Sequence, residues 1–308
     1  MNIAKRIQLV VDRSTNSEKA TDQAVKMAKE LKAELFSLYV VNTHMYKTPN
    51  VIEAMVRTGK KHLITIKEAA ANMKININTS TVLVGGPTND ILKETKFNQA
   101  DLLIIGAGDN SPKGSVPGKL VRKAKCNLLL VRSDPAIGDF SKILVLTNDI
   151  KLEKAPLFAA NIAKRYSAEL TACYVVDLDQ AMIRDRIVYL QEASNCNIAH
   201  VHHRALGEKV PISPTLLNKL STDQTNEGHR IIDTVARIAK DAGVDVNSVI
   251  LKGKPAEEII KYAKEGDFDL IVVEHTPRSK VSQLLFGSIP EKVARNASCS
   301  VMIVNRAS

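Results

Sequence analysis

The sequence contains no tryptophan, and all aromatic residues together make up 4% of its 308 positions. Its cores must therefore be packed from aliphatic side chains, as buried parallel sheets are. The interleaved aromatics on which single-strand nucleic-acid binders stack bases are missing as well. Cysteine is scarce: Cys126, Cys173, Cys196 and Cys299 show no C-x-x-C spacing, which argues against a disulfide framework or a zinc ribbon. They read as small buried hydrophobes. No apolar run reaches the roughly 18 residues that a membrane span needs, and Met1–Arg6 carries no leader pattern. The expectation is a cytoplasmic protein without membrane insertion. No H-E-x-x-H, G-x-x-x-x-G-K-[ST] or G-x-S-x-G string occurs, so no catalytic residue is assigned. The one histidine cluster, His200, His202 and His203, offers an i, i+2 pair short of a third ligand, and no metal is assigned to it.

What the chain has is aliphatic residues and lysine. Hydrophobic residues reach 44%, and the formal net charge is +10. Lysines recur in every helical segment opposite the apolar stripe, and no arginine-rich run exists. The excess reads as a solvated exterior, with no nucleic-acid partner.

The chain also repeats itself. Arg6–Asp12 matches Lys142–Asn148 at an offset of 136, and Tyr39-Val40-Val41 recurs as Tyr174-Val175-Val176 at 135. Pro87 with Ile91 recurs as Pro255 with Ile259 at 168, and Gly114-Ser115 as Gly287-Ser288 at 173. The first jump implies an insertion in the second copy, near 180–213. The second jump is a loop shortened in the first copy. Domains are expected at 1–134 and 140–308, joined by a linker at Ser133–Asp139. Within each copy, short apolar strands alternate with amphipathic helices, which implies right-handed crossovers and a parallel sheet covered on both faces. The expected fold is α/β: two tandem doubly wound sandwiches, one per copy. The last strands, Asn127–Val131 and Ser300–Val304, are apolar and lie at sheet edges. They are expected to pair the copies as an intrachain pseudo-dimer, with two chains then associating as a homodimer.

The end of each copy has the form strand, loop, Gly-Ser, helix, strand. In the first it runs from Asp101–Ile105 through Gly106 and Gly108 to Gly114-Ser115-Val116 and on to Val131. In the second it runs from Asp269–Val273 through Gly287-Ser288 to Val304. Free N–H groups at a helix start, reached by a glycine turn, can cradle phosphate. Ser288 with Glu291 three residues on is equally a capping box that needs no ligand. In open α/β sheets ligands bind beyond the carboxyl ends of strands where the strand order reverses. Val11 and Asp12, Val40, Ile105 and Gly106 all fall at such ends. Asp12 has a second reading, as the cap of the turn that follows it.

This arrangement resembles the end of a universal stress protein domain, whose pattern is a strand, Gly-x2-Gly-x9-Gly-Ser/Thr, a helix and a strand. The resemblance covers nearly the whole chain, twice. It implies a Rossmann-like fold of the adenine nucleotide alpha hydrolase-like kind, and an adenine nucleotide (ATP, ADP or AMP) in the first copy. Asp12 would accept hydrogen bonds from adenine or ribose and Val40 would touch adenine. Gly106, Gly108, Gly114 and Ser115 would hold phosphates, with Val11, Ile105 and Val116 beside them. The second copy departs from the pattern. Asn148 replaces the aspartate, Glu274 and Pro277 stand where the early glycines would be, and Val175, Gly287 and Ser288 persist. Glu274 would repel a phosphate and Pro277 lacks an N–H, so the second copy is the weaker candidate. The first copy departs in length, with seven residues between Gly106 and Gly114 where the family has twelve. Three functions follow: a nucleotide-binding stress-response protein signalling through partners, a nucleotide-free dimeric scaffold, or a slow ATP hydrolase. The last lacks a general base beside the phosphates and a carboxylate pair for a metal.

Overall fold

A computed structural model describes residues 3–108, 114–132, 140–147, 153–178, 214–275 and 289–305. The linker, the insertion with its histidine cluster, Asn148, Pro277, Gly287 and Ser288 lie outside the described residues. The first half runs β1 (Arg6–Val11), α1 (Thr15–Leu31), β2 (Glu34–Asn42), α2 (Pro49–Asn72), β3 (Ile77–Gly85), α3 (Pro87–Phe97), β4 (Leu102–Gly106), α4 (Val116–Lys123), β5 (Asn127–Val131). The second repeats it as β6 (Lys142–Leu146), α5 (Lys154–Tyr166), β7 (Glu169–Val176), α6 (Pro214–Asp241), β8 (Val246–Lys252), α7 (Pro255–Glu265), β9 (Leu270–His275), α8 (Ile289–Asn296), β10 (Ser300–Asn305).

The local reasons repeat too. Proline at the first turn starts α2, α3 and α7, where its missing N–H costs nothing. Lys32 and Ser167, at equivalent positions, end α1 and α5 in the left-handed conformation. Asp101 accepts the backbone N–H groups of Lys5 and Arg6 at 2.5 and 3.0 Å, tying β4 to the start of β1. Asp269 does the same for Ser141 and Lys142, both at 2.8 Å. A Cβ on Gly59 of α2 would stand 2.6 Å from the Tyr39 ring, and one on Gly228 of α6 2.5 Å from Tyr174. Each long helix thus lies directly on the tyrosine of its half's second strand.

The expected two sandwiches share one sheet. Its order is β3-β2-β1-β4-β5-β10-β9-β6-β7-β8, parallel within each half and antiparallel where Leu128, Leu129 and Leu130 of β5 pair with Ile303, Met302 and Val301 of β10. The last strands therefore join the halves, as their apolar edges suggested. Two continuous aliphatic cores span both halves, one beneath α1, α2, α5 and α6, the other beneath α3, α4, α7 and α8. Side chains seal the seam. Asn305 donates its backbone N–H to Asn127 Oδ1 at 2.9 Å and its Nδ2 to the Ala124 carbonyl at 2.6 Å. The buried Arg132 guanidinium donates to the carbonyls of Cys299 and Ala294, and Arg122 of α4 pairs with Glu291 of α8 at 3.3 Å.

Candidate functional site

In the first half the order β2-β1-β4-β5 reverses direction between β1 and β4, and the site residues lie at the carboxyl ends of these strands. Val11 lies opposite Tyr39, and Val10 opposite Ile105. The next row therefore carries Val40, Asp12 and the Gly106-Ala107 step across three neighbouring strands. Ala107 continues the ladder by donating to the Val131 carbonyl at 2.8 Å. Not every residue in this row presents its side chain. Val11 and Ile105 are buried, in the two different cores. Only their main chains reach the strand ends. Val40 is half-buried against the second core, leaving part of its surface at the edge.

Asp12 is exposed, and its Oδ1 accepts both the backbone N–H and the hydroxyl of Ser14, at 2.8 and 2.5 Å. Its own N–H donates to Ser17 Oγ at 2.8 Å. Ser14 in turn caps α1 by accepting the Ser17 N–H at 3.2 Å. The carboxylate thus closes the turn that launches α1, which is its ligand-free reading. Gly106 likewise has a role in the fold itself. A Cβ there would lie 2.5 Å from the Asn16 carbonyl carbon and oxygen and 2.7 Å from the Ser17 nitrogen. Close approach of the first turn of α1 to the end of β4 requires the glycine.

At α4, Ser115 accepts the Gly118 N–H at 3.4 Å and so stands as N-cap. Gly114 has φ +87 with open space around it, a backbone conformation that glycine adopts without strain. Gly114 and Ser115 also border a small cleft shared with Glu291 and Arg295 of α8, so the start of α4 abuts the other half.

The second half solves the same corner differently. Glu274 pairs with Val304 as Gly106 pairs with Val131, and so occupies the glycine's place. Its Oε2 accepts the Ala155 N–H at 3.1 Å, at the start of α5. α5 begins at Lys154 and has 13 residues against 17 for α1, although both end at equivalent positions. Where α1 has an extra first turn resting on a glycine, α5 is one turn shorter and is met by a carboxylate. An anion already sits at this helix start, supplied by the chain itself. Sequence reading identified Glu274 as repulsive to phosphate. It missed the N–H that Glu274 satisfies, because the start of α5 is seen only in the structure. Val175 is buried in the second core.

Burial pushes the Cys126 thiol up to about 11 and Cys173 to about 12, so neither is a thiolate nucleophile near neutral pH. Among the described residues no group of three His, Cys, Asp or Glu is placed to hold a metal, and no helix is long and apolar enough to cross a membrane.

Comparison with known proteins identifies the family. The universal stress protein family model matches twice, at residues 4–132 and 139–305. A universal stress protein of Methanocaldococcus jannaschii is 30% identical over 169 residues, covering 54% of this chain and 83% of that protein. One of Bacillus subtilis is 27% identical over 166 residues, covering 54% and 99%. The crystal structure of a universal stress protein from Archaeoglobus fulgidus superposes with a TM-score of 0.66 at 16% identity, covering 99% and 97% of the two chains. At that identity the likeness establishes the fold. The chain belongs to the universal stress protein family, as a tandem of two of its domains.

Proposed function

We propose that the chain is a stress-response protein that holds one adenine nucleotide, in its first half, at the carboxyl ends of β1, β2 and β4. The observation that carries this reading is the row Val40, Asp12, Gly106-Ala107 at the point where strand order reverses, with Gly114-Ser115 at a helix start on the same side. A half-buried valine suits the base, an exposed carboxylate suits ribose or adenine donors, and the capped α4 start suits a phosphate. The second half takes no nucleotide in this reading, because Glu274 already supplies the anion at its α5 start. The halves are two domains near 1–134 and 140–308, joined as a pseudo-dimer through one shared sheet. Both last-strand edges are used within the chain, so a homodimer needs another surface.

Calorimetry with ATP, ADP and AMP tests this. The expected result is one site per chain, weakened about ten- to a hundredfold in Asp12→Asn. That change keeps an oxygen for Ser14 but loses the charge, and a charged hydrogen bond is worth roughly 1.5–3 kcal/mol. Absence of binding at millimolar concentration of all three nucleotides would refute the proposal. It would favour the nucleotide-free scaffold, for which Asp12 and Gly106 already have internal roles.

A further inference from the structure

The two halves mirror each other across β5 and β10, but the two places where strand starts of one half meet the other half are filled differently. On one side Arg132, extending β5, is buried with its guanidinium on the Cys299 and Ala294 carbonyls. In the second half Phe268 closes the end of α7, 5.6 Å from the Tyr262 ring. On the other side the repeat puts Asn305 in place of Arg132 and Ala100 in place of Phe268. Two large side chains are exchanged for two small ones. A cavity of about 850 Å³ lies on that side, with Ala100 and Cys126 in its wall; of their counterparts, Cys299 is buried and Phe268 half-buried. That volume falls in the range of about 300–1,000 Å³ typical of small-molecule sites.

The lining has two parts. Its apolar floor comes from both halves: Ile3, Leu92 and Ala100 from the first, Leu157, Phe158 and Val304 from the second. Around it stand Lys5, Lys96, Lys123, Lys125 and Lys154, with Asp101 as the one carboxylate among the described residues. Asp101 is already engaged by two backbone N–H groups. Four uncharged polar side chains of the wall each make one hydrogen bond within the chain. Thr95 donates to the Ile91 carbonyl, and Asn161 to the Leu157 carbonyl. Asn127 Oδ1 accepts from Asn305, and Gln99 Oε1 from Arg6. A nucleotide, whose sugar and base need hydrogen-bond partners, is poorly served here. An apolar body with an acidic head is well served, by the floor and the ammonium groups respectively.

We propose that this inter-half cavity binds an amphiphilic anion of the long-chain carboxylate class. The site exists only because the halves are joined, and it is separate from the strand ends of the first half. Fluorescence titration of the full chain with cis-parinaric acid tests it. Saturable binding of one molecule per chain is expected, with the methyl ester at least tenfold weaker and millimolar ATP causing no displacement. Ala100→Phe, which copies Phe268, should weaken binding at least tenfold. So should the paired charge reversal Lys96→Glu with Lys125→Glu, made at exposed positions and checked by circular dichroism; it decides alone if Ala100→Phe does not fold. Absence of saturable binding, ester binding equal to acid binding, displacement by ATP, or full binding in the charge-reversed variant would each overturn the proposal.

Discussion

Gly106→Ala separates two reasons for a glycine at the end of β4. If the glycine served only a phosphate, alanine would weaken ligand binding and leave the ligand-free protein as stable as before. The geometry predicts otherwise. The added Cβ meets the Asn16 carbonyl group at 2.5 Å and the Ser17 nitrogen at 2.7 Å. These are backbone atoms, so no side-chain rotation relieves the clash. Either the first turn of α1 moves away or β4 is pushed back into two cores that contain Ile104 and Ile105. Overpacking of this kind costs about 1–3 kcal/mol. At a few degrees per kcal/mol for a domain of this size, the melting temperature should fall by roughly 2–12 °C. Retreat of the α1 turn would also disturb the Asp12 N–H bond to Ser17 and the Ser14 cap. Thermal melting of the ligand-free variant by circular dichroism is the assay. An unchanged midpoint would show that α1 does not rest on β4 as described, and would return Gly106 to a purely ligand-facing role.

The second half offers the complementary change. Glu274→Ala removes the carboxylate at the α5 start and should cost about 0.5–2 kcal/mol in urea unfolding, in the range of a lost helix cap; Glu274→Gln, which keeps an acceptor, should cost less. Arg132→Met leaves the Ala294 and Cys299 carbonyls unmet at the seam. The loss of charged hydrogen bonds worth roughly 1.5–3 kcal/mol should loosen the junction, visible in calorimetry as separation of one melting transition into two. Asp22 has its carboxyl raised by burial first and by Glu18 one turn earlier second. The folded state therefore favours the protonated form, and that contribution is present at acid pH and lost as pH rises through the raised value. Asp22→Asn should accordingly stabilise the protein near pH 7. The gain should be about 0.2–0.5 kcal/mol, the scale of a like-charge i, i+4 pair at a largely exposed position, and should vanish below the ordinary carboxylate range.

Strand and helix placement was legible because it depends on local periodicity. Asn127–Val131 reads as a buried strand in isolation and is one. The spacing of Ala20, Ala24, Met27 and Leu31 reads as one apolar helix face, and Thr15–Leu31 is a helix. The repeat was legible too, since matched residues at fixed offsets need no coordinates, and with it came the row of strand ends that forms the candidate site. What these residues do there was not legible. Whether Asp12 faces a ligand or closes its own turn depends on where Ser14 lies, and whether Gly106 serves a phosphate or a helix depends on how closely α1 approaches β4. Both are distances between segments remote in sequence or differently rotated about one bond. The joining of two sandwiches into one sheet was foreshadowed by two apolar edges, but only the antiparallel register of β5 and β10 sets Arg132 against one corner and Asn305 against the other. The cavity lies on the Asn305 side, with Ala100 and Val304 in its wall. Sequence shows that Ala100 and Phe268 differ in size; tertiary packing decides that a space lies between the halves, where the starts of β1, β4 and β5 face α5 across the seam.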